Sequence, residues 1–81
     1  MIGIRSKKGR FADAVRDYNM ALSITPNNPE LYYNRGNALA RSGHLNEALR
    51  DYDTAILLSP KFNRDYYDNR DQVKNALQAL P

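Results

Sequence analysis

Cysteine is absent from this chain, which excludes disulfides, thiolate metal sites and cysteine nucleophiles. Small secreted domains usually need disulfide staples, so the same absence favours a soluble, cytoplasmic setting. Long apolar runs are also lacking. The longest, Ala55-Ile56-Leu57-Leu58, falls far short of the roughly 20 residues of a membrane span. Met1-Ile2-Gly3-Ile4 leads straight into Arg5, Lys7 and Lys8, which leaves no stretch of signal-peptide length. The four glycines, Gly3, Gly9, Gly36 and Gly43, are scattered, so there is no phosphate-binding loop. His44 is the only histidine and has no Cys, second His or Ser-His-Asp grouping around it. A metal or general-base site needs such partners, so no catalytic residue, metal or cofactor is expected.

The 81 residues suit one small domain. Hydrophobic residues make up 42% and charged residues 26%, which is a globular rather than a disordered balance. The net charge is +3 and eight of the twelve cations are Arg, too weak a bias to imply nucleic acid by itself. The charge is uneven, however. Arg5, Lys7, Lys8 and Arg10 crowd the start, and Asp65, Asp68 and Asp71 form an acidic row near the end.

The chain repeats itself at an interval of 34 residues. Gly9, Ala14, Arg16, Asp17, Tyr18, Ala21 and Pro26 fall on Gly43, Ala48, Arg50, Asp51, Tyr52, Ala55 and Pro60. In both copies apolar residues recur at spacings of three and four, as Phe11, Ala14, Val15, Tyr18, Ala21 and Leu22 do, giving one helical stripe. No Val/Ile/Thr-rich alternation argues for a strand. Pro26 and Pro29 break the chain, with Asn28 placed as an N-cap. Ser42-Gly43 marks a helix stop, Ser59-Pro60 another, and Asn63 a second N-cap. These signals predict a short helix near 2–8 and helices near 11–25, 29–42, 45–58 and 63–79, packed as antiparallel hairpins because the loops are short. Asp13 and Asp17 have Arg10 and Arg16 beside them as ion-pairing neighbours.

With these residues in phase, the chain resembles the tetratricopeptide repeat, whose pattern is W-x2-L-G-x2-Y, A-x3-F and P over 34 residues. In 29–62, Tyr32 stands at the Trp place, Gly36 at the Gly, Leu39 at the Tyr, Ala48 at the Ala, Tyr52 at the Phe and Pro60 at the Pro; Arg35 departs from the Leu. The segment 1–28 keeps only the later half, with Ile2 where the Gly belongs. The segment 63–81 keeps only a first helix, with Arg70 at the Gly place. The resemblance therefore implies an all-α fold of helix-turn-helix hairpins stacked as a short right-handed superhelical solenoid. It divides the chain into a truncated repeat (1–28), a full repeat (29–62) and a C-terminal capping helix (63–81). Arg70 would crowd any further hairpin, and Gln72 and Lys74 make the last helix's outer face polar, which suits a cap.

The resemblance further implies protein–protein binding, in a scaffold or adaptor role, with a peptide or partner helix held in the concave groove. The motif turns Tyr32, Gly36 and Leu39 inward, so Tyr33, Asn34, Asn37 and Arg41 should face that groove. Arg64, Tyr67, Asp68 and Asp71 take the corresponding places on the last helix. Asn37→Ala should then weaken peptide capture with little effect on melting. A carboxylate clamp of the kind that takes chaperone tails is not expected, because Asp68 stands where its second cation belongs, although Asn34 and Arg64 match. Asp68 and Asp71 favour a ligand with a basic or hydrogen-bonding group. RNA binding is the alternative class, as in other helical-repeat proteins, but a face that mixes Asp with Arg suits phosphate poorly. A further alternative is self-assembly, as a fragment of a longer array or a homo-oligomer formed through the truncated N-terminal repeat.

Overall fold

In the computed structural model, which describes residues 7–80, the chain is four helices: α1 (Lys7–Ile24), α2 (Pro29–Arg41), α3 (Leu45–Leu58) and α4 (Arg64–Ala79). The architecture is the all-α stack of hairpins expected from the periodicity. One boundary differs. Helix α1 runs unbroken from Lys7 through Gly9, so no stop separates a 2–8 helix from an 11–25 helix. A mid-helix glycine costs only about 1 kcal/mol relative to Ala, too little to break a helix that packing supports. Residues 2–6 of the expected short helix, Arg5 among them, lie outside the described residues.

The caps form for local reasons. The Asn28 side chain accepts from the Glu30 amide at 3.0 Å, and Pro29 opens α2 with its preset backbone. Asn63 does the same for α4, accepting from Asp65 at 3.0 Å and Tyr66 at 3.4 Å. Between α2 and α3 the chain turns at Gly43, whose φ of +88° a side chain would strain. The following His44 amide donates to the Leu39 carbonyl at 2.8 Å, satisfying the helix end. His44 itself caps α3 without a side-chain hydrogen bond. Its Nδ1 lies 2.9 Å from the Ser42 hydroxyl.

The core sits where α2, α3 and α4 meet, with Leu39, Ala48, Tyr52 and Val73 buried together. Its tightest point is Gly36 against Tyr52. A Cβ on Gly36 would stand 2.9 Å from Tyr52 Cε1 and 3.3 Å from Asp51 Cβ, so the small residue sets how closely α2 and α3 approach. Helix α3 is covered by α2 on one side and α4 on the other, whereas among the described helices α1 packs on α2 alone.

Candidate functional site

The residues of α2 divide between two sides of that helix. On one side Arg35, at the place where the repeat pattern has Leu, turns toward α3. Its Nε and Nη2 donate to the two Asp51 carboxylate oxygens at 2.8 Å each, and its Nη1 donates to Asn19 Oδ1 on α1 at 2.8 Å. The Asp51 side chain keeps 8% of its exposure and the Arg35 side chain 23%, so this two-bond pair is largely withdrawn from water. Hydrogen bonding to Asp51 raises the Arg35 pKa further above its ordinary value, against the opposing effect of burial. With Tyr32, Glu47 and Thr54, these groups line an open hollow of about 410 Å³ between α1 and α3.

On the other side Tyr33, Asn34, Asn37 and Arg41 follow one another. Two hollows flank them and share Asn37 and Arg41. One, of about 260 Å³, lies toward Phe11 and Tyr18 of α1; the second, of about 210 Å³, lies toward Asn69, Gln72 and Val73 of α4. Asn34 lines the first. Arg41 is exposed, stands 6.0 Å over the Phe11 ring and has no carboxylate partner among the described residues.

Asn37 and Tyr33 do more for the fold than the sequence suggests. Asn37 Oδ1 accepts the Tyr52 hydroxyl at 2.6 Å and the Asn69 amide at 2.8 Å. That Asn69 amide also donates to the Tyr33 hydroxyl at 2.9 Å. The Tyr33 ring lies 4.6 Å from the Tyr66 ring and 5.9 Å from that of Tyr52. Asn37→Ala would strip an acceptor from a buried tyrosine, so the expectation of unchanged melting is corrected: the substitution costs stability. The sequence marks Arg35 only as a departure from the repeat pattern and Asp51 only as a repeated position, and it does not single out Asn69 or Asn19. An Asp within the packed stripe Ala48, Asp51, Tyr52, Ala55 was the available signal, since a carboxylate there requires a buried cation.

On α4 the expected groove residues are already partnered. Arg64 pairs with Asp68 at 3.4 Å, one turn apart and exposed. Asp71 pairs with Arg70 at 3.2 Å. Tyr67 stacks on Phe62 at 5.1 Å and lies beneath the Arg70 guanidinium at 5.0 Å. Arg70 also reaches Asp53 on α3 at 3.9 Å. No hydrogen bond or ion pair among the described residues joins this set to Asn34 or Arg41. The acidic charge of Asp68 and Asp71 is therefore met at least partly within α4. In α1, Arg16 pairs with Asp13 at 3.6 Å, whereas Asp17 stays exposed without an ion-pair partner among the described residues.

Burial pushes the Tyr52 hydroxyl up from 10.0 to about 12. Unfolding releases that tyrosine to ionise near its ordinary value, so its contribution is complete below about pH 10 and is lost as pH rises toward about 12. Urea midpoints should accordingly fall between those values, and Tyr52→Phe should flatten the fall.

No cluster of metal-ligating side chains occurs among the described residues, and none of their helices is long and apolar enough to cross a membrane. Two family models match the chain. One, described as a TPR repeat, covers residues 4–43, and the other, described as a tetratricopeptide repeat, covers residues 29–62. No curated protein and no solved structure matches.

Proposed function

Because this chain belongs to the tetratricopeptide repeat family, we propose that it is an adaptor or scaffold module that holds an extended peptide or partner helix on the inner face of α2. Repeats of this family are generally protein–protein interaction modules and typically non-enzymatic. In this reading 29–62 is the full repeat, 1–28 a truncated one and 63–81 the capping helix, and the module works in the cytoplasm. The observation that carries the proposal is the pair of hollows flanking α2, which share Asn37 and Arg41. Asn34 supplies both a donor and an acceptor to a peptide backbone, and Arg41 supplies a cation that no carboxylate among the described residues engages. Arg64, Tyr67, Asp68 and Asp71 extend the surface along α4, where their mutual pairs would have to open for a charged ligand.

Asn34 and Arg41 are the residues to test, because Tyr33 and Asn37 also hold the core. Peptides selected from a random display library on the whole chain should lose about tenfold or more in affinity on Arg41→Ala, and several-fold on Asn34→Ala, with urea midpoints unchanged. Peptides bound equally by both variants would remove this face from the function. Salt-sensitive retention of RNA with no peptide retained would favour the nucleic-acid reading instead.

A further inference from the structure

Helices α1 and α3 carry the same residues at four inward places, yet their surroundings differ. Ala48, Asp51, Tyr52 and Ala55 are all buried, at 0%, 6%, 1% and 0% exposure. Their counterparts 34 residues earlier are not buried: Ala14, Tyr18 and Ala21 are half-buried and Asp17 is exposed. What covers the α3 set is α2. Arg35 neutralises Asp51, Gly36 admits the Tyr52 ring, and Asn37 accepts its hydroxyl. Thirty-four residues before Arg35, Gly36 and Asn37 the sequence has Met1, Ile2 and Gly3, whose side chains carry neither a charge nor an amide.

We propose that α1 docks a helix of a partner protein that carries Arg, a small residue and Asn in succession. The Arg would seat on Asp17, the small residue would admit Tyr18, and the Asn would take the tyrosine hydroxyl. The chain's own α2–α3 contact is the template for this recognition, and the Asp17 carboxylate, exposed and without an ion-pair partner among the described residues, supplies the charge complementarity. Met20 and Ile24, 65% and 79% exposed at the far end of α1, add apolar area to the same helix. A second intact copy is a poor occupant, because its own Arg35, Gly36 and Asn37 are engaged by α3. This surface adjoins the peptide site on α2, because Tyr18 lines the hollow beside Asn34, Asn37 and Arg41, but Asp17 takes no part in that site.

The probe is a synthetic peptide of residues 29–42, held helical by a staple on its outer face so that folding does not limit binding. Titrated into the whole chain, it should bind saturably. Asp17→Arg should weaken it by about tenfold or more, while leaving the melting temperature unchanged because Asp17 is exposed and has no ion-pair partner among the described residues. A peptide bearing Arg35→Asp should bind poorly to the parent and regain affinity for the Asp17→Arg chain. Absence of saturable binding, or equal binding by the Asp17→Arg chain, overturns the proposal. A chain that is dimeric alone, and monomeric as Asp17→Arg, assigns the face to a second copy and also overturns it. Arg41→Ala with library peptides tests the α2 site independently of this result.

Discussion

Tyr52→Ala should lower the unfolding free energy by about 3–5 kcal/mol, the range for a large buried aromatic truncated to Ala. Tyr52 is 1% exposed, and its ring fills the space that Gly36 leaves open. It also faces Tyr33, and its hydroxyl is held by Asn37 at 2.6 Å. Truncation empties that space and leaves Asn37 bonded only to Asn69. Domains of this kind are stable by roughly 5–15 kcal/mol in all, so the variant would lose a large fraction of its stability. Urea denaturation measures this, and two companions locate the cause. Tyr52→Phe keeps the ring and should cost about 1 kcal/mol, the worth of an ordinary hydrogen bond. Tyr18→Ala removes the same residue from α1, where it is only half-buried, and should cost distinctly less than Tyr52→Ala.

The second large effect is at the Arg35–Asp51 pair. Asp51→Ala should cost about 2–3 kcal/mol. Breaking a buried ion pair costs about 3–5 kcal/mol, and the 23% of exposure left to Arg35 lets water recover part of that. Arg35→Leu combined with Asp51→Ala should restore stability to within about 1 kcal/mol of the parent. Leu is the residue that the repeat pattern carries at that place, and an apolar replacement of a buried pair is often close to neutral. Thermal or urea denaturation of the single and double variants gives the coupling directly. A double variant as unstable as Asp51→Ala alone would mean that the loss comes from lost packing around position 51 and not from a stranded charge.

Most of the fold was legible in the sequence, because a repeat states its core twice. Ala48, Tyr52 and Ala55 were marked by Ala14, Tyr18 and Ala21, and the stops at Asn28, Gly43 and Asn63 have local causes that need no tertiary context. The candidate site was less legible. Helical phase placed Tyr33 and Asn37 beside Asn34 and Arg41, but phase alone does not say what stands opposite. Asn69 decides that for Tyr33 and Asn37, since its amide draws both into the α2–α4 contact. Asp68 and Asp71 form an acidic row in the sequence that suits a basic ligand, but Arg64 and Arg70 on the same helix pair with them and compete with any such ligand. Arg35 was visible as a departure from the pattern, but its meaning required Asp51 to be seen across the hairpin.

The central claim is that the inner face of α2 is where this module takes a partner. Amide NMR spectra of the whole chain, recorded during titration with a library-selected peptide, test it most directly. The account predicts shifts clustered on Asn34, Asn37 and Arg41 and their neighbours in α2, with Arg50 and Thr54 on the opposite side unmoved. Shifts gathered around Arg50 and Thr54 instead, or none at saturating peptide, would contradict it.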